Sequence, residues 1–230
     1  MSSAKDSNYP KALVITRVIS LLSISYLLFH YGFSDASFKF FFYLTHWGMM
    51  LTFTYFLLAV LNYLVYYTNS AVTYMFLIIW GFNWIITISF WCYLVPANGL
   101  EDILRGSTTH SVPLILTLIE FSLNKIQFER RKFLIVFGVL TLYFLVCLLP
   151  YTLSVEPIYH GITFDNTTTY VMVILNFFLI VGALEVGKLL REAIDGRGRS
   201  KETRSGEGEG EGEGEDNDGN SQPLLVIVKN

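Results

Sequence analysis

The sequence predicts an all-α, polytopic membrane protein: a bundle of six transmembrane helices followed by a disordered acidic C-terminal tail. Hydrophobic residues make up 53% of the 230 residues, and charged residues make up only 15%, against roughly 25% in a soluble domain. The apolar residues are gathered into runs long enough to cross a bilayer, and most basic residues lie on one side of these runs. A nucleic-acid-binding surface is excluded because the sequence offers no basic face.

Six apolar runs are candidate membrane helices, since about 20 apolar residues are needed to cross the hydrocarbon core. Their bounds are 12–29, 42–66, 72–95, 111–124, 133–153 and 170–190. The fourth run is the shortest, and it reaches the lower limit for a span only if residues from Thr108 onward are helical. Whether this run crosses the membrane decides the topology of everything that follows it.

The positions of lysine and arginine favour six spans over five. With six spans, one side of the membrane holds Lys5, Lys11, Lys125, Arg130, Arg131, Lys132, Arg191, Arg197, Arg199, Lys201 and Arg204. The opposite side holds only Lys39 and Arg105. Because basic loop residues are concentrated in the cytosol, both termini are predicted to be cytosolic. The chain is then a multi-pass protein of the endoplasmic reticulum or plasma membrane.

The chain divides into a six-span membrane domain, residues 1–195, and a cytosolic tail, residues 196–230. The tail repeats Gly-Glu five times over residues 206–215, and it carries the net charge of −3 because the membrane domain has equal numbers of basic and acidic residues. Such a segment cannot bury enough apolar surface to offset the entropy of ordering it, so disorder is predicted.

All four histidines fall on the non-cytosolic side in this topology: His30, His46, His110 and His160. Ionisable groups close to the membrane core are costly, so each indicates either a function or a position at the lipid headgroups. For His30 and His160 the headgroup position is the preferred interpretation. A haem or metal site is disfavoured because the histidines are scattered over four segments, so no metal and no cofactor is predicted.

Thr45 and His110 form a sharper pair, because each lies near the predicted start of a span and both lie at the same depth. A hydroxyl nucleophile needs a base within about 2.6–3.2 Å, and histidine is suited to that task near neutral pH. The unpaired N–H groups of a helix start can stabilise an oxyanion, and Pro113 fits a first helical turn. The alternative is that Thr45 bonds its own backbone and that the match in depth is fortuitous.

Two carboxylates, Glu120 and Glu185, lie within predicted spans. An acidic group at the bilayer centre costs several kcal/mol (about 2.5–3.5 on insertion scales), so both are expected to face the interior of the bundle. Arg17 is a candidate partner for one of them. Asn166-Thr-Thr168 is an N-glycosylation sequon on the predicted outer side, very close to the sixth span.

Four segments resemble the androgen-induced-gene family, which includes the androgen-dependent regulator of tissue factor pathway inhibitor. These segments are Phe38-Lys-Phe-Phe-Phe-Tyr-Leu-Thr45, Thr108-Thr-His-Ser-Val-Pro-Leu-Ile-Leu-Thr-Leu-Ile-Glu120, Val155-Glu-Pro-Ile-Tyr159 and Leu184-Glu-Val-Gly-Lys-Leu-Leu190. Their order and spacing extend over residues 11–194. The resemblance implies a multi-pass membrane threonine hydrolase that cleaves esters of fatty acids with hydroxy fatty acids. It places the nucleophile on Thr45 and its histidine on His110, and it implies that the lipid ester enters from the bilayer.

The same sequence leaves a second function open. The run Thr45-His-Trp-Gly48 is also similar to the Rolling-stone group of multi-pass proteins linked to cell fusion, for which hydrolysis is not implied. In addition, the segment between the third span and His110 is shorter than the hydrolase family leads one to expect. The alternative is therefore a non-enzymatic membrane protein for adhesion, fusion or scaffolding.

Overall fold

The structure is a computed structural model that describes residues 11–32, 38–65, 70–98, 103–154, 159 and 163–206. Within these ranges the chain is helical and contains no β-strand, so the predicted all-α class is confirmed. Its long helices are α1 (Lys11–Leu27), α2 (Leu44–Val65), α3 (Ser70–Ser89), α4 (Ile103–Leu123), α5 (Phe133–Tyr143) and α6 (Thr167–Gly206).

Several helices continue or begin with turns of other pitch. A π-helical turn extends α1 over Leu28–Gly32, α3 over Phe90–Leu94 and α5 over Phe144–Leu148. Short α-helical turns follow in α3 (Val95–Asn98) and α5 (Leu149–Ser154). Turns of 3-10 helix, Phe38–Phe42 and Arg130–Lys132, lead into α2 and α5. The π-turn of α3 carries Phe90, whose ring stacks on His110.

The outside of the bundle is apolar, as contact with lipid requires. Leu22, Leu134 and Phe178 expose 65%, 75% and 69% of their surface. Helices α1, α2, α3, α5 and α6, with their extensions, are long and apolar enough to cross a membrane. Because a helix satisfies all its backbone hydrogen bonds internally, such helices are suited to hydrocarbon surroundings. The described part of the chain therefore has the features of a multi-pass membrane protein.

Helix α4 is less apolar than the other long helices, but it is long enough to cross. Its 21 residues span about 32 Å at 1.5 Å per residue, close to the roughly 30 Å thickness of the hydrocarbon core. Thr45 and Tyr55 of α2 bond to His110 and Glu120 of α4 in the same order, so the two helices run in the same direction. Contacts between α3 and α4 run in the reverse order. This alternation agrees with the predicted six-helix arrangement.

The start of α4 differs from the prediction. The sequence suggested a start at residue 108 or later, whereas the helix begins at Ile103. The hydroxyls of Ser107, Thr108 and Thr109 donate to carbonyls one turn earlier. Their hydrogen-bonding needs are therefore met inside the helix, and they do not mark its start. Pro113, expected in the first turn, therefore lies in the middle of the helix, and its side chain is buried.

The interior of the bundle is polar at two levels along α4. Asn83 of α3 donates to the hydroxyls of Thr52 and Thr117, at 3.0 and 2.9 Å. One turn further on, Arg17 and Tyr55 both donate to Oε1 of Glu120, which is fully buried. Hydrogen bonds between side chains of different helices hold the bundle together where lipid offers no hydrophobic driving force.

Glu185 does not face the interior as the sequence predicted. Its carboxylate keeps about a third of its surface exposed and accepts two hydrogen bonds from the guanidinium of Arg130, at 2.8 and 3.2 Å. The loop before α5 lies beside this part of α6 and supplies the arginine. The Arg130 guanidinium gives the Glu185 carboxylate an opposite charge without burial in the interior of the bundle.

The chain divides into two compact units after Arg191. Arg191, in the first unit, donates to the carbonyls of Phe121 and Asn124 at the C-terminal end of α4. The unpaired C=O groups at a helix C-terminus carry partial negative charge and favour a cation there. The second unit begins at Glu192, and helix α6 continues in it to Gly206. The sequence predicted disorder from residue 196, but an established helix adds one hydrogen bond per residue and propagates into polar sequence. Residues 207–230, including most of the Gly-Glu repeat, lie outside the described residues.

Candidate active site

Thr45 is the second residue of α2, and this position frees its hydroxyl. A threonine inside a helix usually bonds the carbonyl one turn earlier, as Thr54 does with Met50. At the helix start the preceding residues form a separate turn, and the Thr45 hydroxyl instead meets the ring of His110. The Thr45 Oγ1 to His110 Nδ1 distance is 3.2 Å, between residues 65 positions apart.

Two contacts fix the position of His110. The ring of Phe90, from the π-turn of α3, stacks on the imidazole with centroids 4.2 Å apart and an angle of 10° between the planes. The hydroxyl of Thr87 donates to the His110 carbonyl at 2.6 Å. Pro113 lacks the N–H that would bind the carbonyl one turn earlier, which loosens the backbone bonding of α4 at this point. The imidazole is thus held by α3 from one side and meets α2 on the other.

His110 does not lie at a helix start, contrary to the sequence analysis. Since α4 begins at Ile103, His110 lies in its third turn, and the free N–H groups of that helix belong to its first turn, earlier in the chain. The start of α2 brings four backbone amides close to the pair. Its Leu44 amide donates to Tyr159, and the amides of His46 and Trp47 donate to the carbonyl of Tyr43. For the Thr45 amide there is no acceptor among the described residues.

Thr45 and His110 open into a cavity between α2, α3, α4 and α6. The cavity has a volume of about 60 Å³. Its apolar lining comes from Leu44, Ile86, Leu94 and Met172. Its polar lining comes from Thr45, Ser89, Tyr93, His110, Tyr159 and Asn176. The arrangement can hold an apolar molecule and present a few polar groups to it.

A second polar pair, Ser89 and Asn176, lies in the same cavity. The Ser89 hydroxyl donates to Oδ1 of Asn176 at 3.1 Å and joins α3 to α6. This bond turns the amide oxygen toward Ser89 and leaves the Nδ2 group as a donor. From the sequence, Asn176 stands out only as a polar residue in an apolar run and a candidate hydrogen-bond partner for a buried carboxylate, and nothing marks Ser89. No local motif marks either residue, because the two residues lie 87 positions apart in the chain, on different helices.

Tyr159 ties a connecting segment to the start of α2. Its hydroxyl accepts a hydrogen bond from the Leu44 amide at 2.8 Å and is also hydrogen-bonded to Tyr143 of α5. Tyr143 donates in turn to the carbonyl of Phe42 at 2.7 Å. Burial raises the pKa of Tyr159 to about 12, so its hydroxyl stays protonated near neutral pH. Tyr159 therefore acts as an uncharged anchor beside Thr45.

The other candidate histidines do not join this site. His46 stacks on Phe40 and bonds the Phe40 carbonyl at 2.9 Å, and His30 is exposed between Tyr26 and Tyr31. His160 lies outside the described residues. Within the described ranges, no cluster of three or more His, Cys, Asp or Glu residues suitable for a metal ion occurs. A comparison with protein-family models, curated proteins and solved structures found no match to this chain.

Proposed function

We propose that this protein is a membrane-embedded hydrolase of lipid esters, with Thr45 as the nucleophile and His110 as the base. One observation carries the proposal: a threonine hydroxyl and an imidazole nitrogen from two different helices lie 3.2 Å apart in a mostly apolar cavity. That separation is within reach of a proton transfer and allows for the loose geometry of a site without substrate. The resemblance to the androgen-induced-gene family, which no comparison tests, points to the same two residues.

In the first half of the reaction, the Thr45 oxygen attacks the ester carbonyl carbon and its proton passes to Nδ1 of His110. For this step the neutral imidazole carries its own proton on Nε2, and the Phe90 stack limits rotation of the ring. The tetrahedral intermediate then breaks its bond to the leaving oxygen. His110 returns the proton to that oxygen, the alcohol departs, and the acyl group remains on Thr45.

In the second half, water replaces the alcohol. His110 takes a proton from the water, the resulting hydroxide adds to the acyl carbon, and the bond to Thr45 breaks as the proton returns to its oxygen. The products are a fatty acid and a regenerated Thr45. The amide of Thr45, in the first turn of α2, is the donor available for the oxyanion that forms in each half.

We also propose the orientation that the charge distribution favours. The end of the bundle that holds Arg130 and Arg191 faces the cytosol with both termini, and the end that holds Thr45 faces the opposite compartment. The test is an N-glycosylation acceptor inserted into residues 33–37 or into residues 66–69. Glycan at the first insertion alone supports this orientation, and glycan at the second alone reverses it.

The hydrolase is tested with membranes from cells that express wild type, Thr45→Ala or His110→Ala. The readouts are hydrolysis of a fatty-acid ester of a hydroxy fatty acid and covalent labelling by a fluorophosphonate probe. Thr54→Ala and His30→Ala are matched controls, because both side chains are exposed and lie away from the cavity. Loss of both signals in the first two variants, with wild-type signals in the controls, is the expected result.

Equal hydrolysis by wild type and Thr45→Ala excludes the proposed nucleophile. Absence of hydrolysis and of labelling in the wild type itself favours the non-enzymatic alternative of adhesion, fusion or scaffolding. In that alternative, deletion of the tail, residues 196–230, abolishes function. The hydrolase, whose cavity lies entirely in the membrane domain, retains activity after the same deletion.

A further inference from the structure

The described residues that line the cavity are uncharged apart from the titratable ring of His110. Among these described residues there is no lysine, arginine, aspartate or glutamate. The polar groups available to a ligand are hydroxyls and the Asn176 amide. A charged group brought into such surroundings loses its hydration without gaining an opposite charge, which costs several kcal/mol. An uncharged ester loses much less.

The Asn176 amide is the group best placed to bind an uncharged acceptor. Ser89 occupies its oxygen, so the NH₂ group is the part left for a ligand. The amide comes from α6, whereas Thr45 and His110 come from α2 and α4, so it approaches the cavity from a different helix. A polar contact from a further helix helps to fix the orientation of a ligand whose chain is held by apolar side chains.

We infer that the cavity binds electrically neutral esters, and that Asn176, held by Ser89, is the residue that binds their polar acceptor. An anionic headgroup or carboxylate is accepted only where the ligand's chain is long enough to leave the charge outside. This inference rests on the proposed function and names the substrate class of that site. Asn176 is in this role a substrate-binding residue, distinct from the pair that performs the chemistry.

The first experiment varies the charge of the substrate with the full-length protein in detergent. Four esters of palmitic acid are compared: one with a hydroxy acid whose hydroxyl is next to the carboxyl group, one with a hydroxy acid whose hydroxyl is far along the chain, and the methyl ester of each. The inference predicts at least about a tenfold preference for the methyl ester in the first pair, equivalent to about 1.4 kcal/mol. It predicts nearly equal rates in the second pair. A preference below twofold in the first pair overturns it.

The second experiment changes the lining. Asn176→Leu, close in size to asparagine but without its donors, is expected to raise KM for the neutral esters severalfold while kcat falls less. Met172→Lys places a cation in the lining and is expected to reduce the preference for the methyl ester, whereas the uncharged control Met172→Gln keeps it. An unchanged KM in Asn176→Leu, or an unchanged preference in Met172→Lys, contradicts the inference.

A third readout separates this inference from the proposed function. If the wild type cleaves none of the four esters, the hydrolase proposal fails, and binding is then measured by the thermal shift that each ester produces. A larger shift with the methyl ester of the first pair, abolished in Asn176→Leu, supports a neutral-lipid site without catalysis. Equal shifts with acid and methyl ester overturn the inference on its own.

Discussion

Arg17 of α1 and Glu120 of α4 form a buried ion pair across 103 positions of the chain. Both Nε and Nη2 of the guanidinium lie within hydrogen-bonding distance of Oε1, at 3.0 and 2.8 Å, and Tyr55 of α2 donates to the same oxygen at 2.7 Å. The second carboxylate oxygen is buried and has no hydrogen-bond partner among the described residues. Three helices are thus fixed to one another at this level, below the candidate site.

Removal of the cation is expected to destabilise the bundle. Arg17→Met leaves the Glu120 carboxylate buried without its partner, and breaking such a pair typically lowers the free energy of unfolding by about 3–5 kcal/mol. Thermal unfolding in detergent micelles measures the effect. The double variant Arg17→Met with Glu120→Met should recover much of the loss, because no uncompensated charge remains. Arg130→Met, which breaks the exposed pair with Glu185, should hardly change the unfolding temperature.

A small change at Gly106 is expected to lower activity through Phe90. A Cβ atom at Gly106 would lie 2.7 Å from the edge of the Phe90 ring, the ring that stacks on His110. Gly106→Ala must therefore displace the stack, and a displacement near 1 Å at a catalytic group can reduce the rate by roughly 10- to 100-fold. Gly138→Ala is the control, because a Cβ there meets nothing within 4 Å. Equal kcat/KM values for the two variants would count against the role given to the stack.

Tyr159→Phe is expected to loosen the start of α2. The substitution leaves the Leu44 amide without its acceptor, and an unsatisfied buried donor costs about 1–3 kcal/mol. The unfolding temperature at neutral pH should fall, whereas the exposed control Tyr26→Phe should leave it unchanged.

The same variant should change the response to alkaline pH. Because the pKa of Tyr159 is raised from 10.0 to about 12 in the fold, the stability it contributes is fully present below pH 10 and is lost as the pH rises toward 12. The difference in stability between wild type and Tyr159→Phe should therefore shrink over that range. A difference that stays constant from neutral pH to pH 12 contradicts the buried position of this hydroxyl.

Asn166 is expected to act as a helix cap, although it belongs to a glycosylation sequon. Its Oδ1 accepts hydrogen bonds from the amide and hydroxyl of Thr169, and its Nδ2 donates to Thr163, so both ends of the side chain are engaged at the start of α6. Loss of an N-cap costs about 0.5–2 kcal/mol, so Asn166→Ala should lower the unfolding temperature. Asn166→Asp also removes the sequon but keeps the cap, and it should remain close to wild type. Equal destabilisation by both substitutions would indicate that the sequon, rather than the cap, matters.

The sequence predicted the two central residues of the candidate site, Thr45 and His110, better than it predicted the helices and side chains around them. Thr45 could be placed at a helix start because an apolar run begins there, and His110 could be placed at the same depth because lysine and arginine indicated the sidedness. The predicted start of α4 was wrong because a run of serine, threonine and proline was interpreted as the first turn of the helix. The serine and threonine hydroxyls instead donate to carbonyls of a helix that already begins at Ile103. The prediction that Glu185 faces the interior was wrong because hydropathy does not reveal which loop lies beside a helix.

Phe90, Ser89 and Asn176 could not be found from the sequence. Each is an ordinary residue of an apolar helix, and its role depends on the rotation of that helix about its axis. Rotation is decided by packing against neighbours, which a hydropathy pattern does not record when the helix is apolar on most sides. The π-turn of α3 adds a further change in the direction of Phe90 that no residue pattern announces.

By itself, the sequence determined the all-helical class, the number of apolar runs and the separate character of the acidic end. These properties follow from composition and spacing, because the bilayer imposes one length and one polarity on every helix that crosses it. Only the tertiary structure decided which side chains meet: that Arg17 pairs with Glu120, that Phe90 holds His110, and that Thr45 lies 3.2 Å from that imidazole. Contacts between residues far apart in the chain depend on the rotation and register of whole helices, and these are set by close packing of side chains from several helices at once.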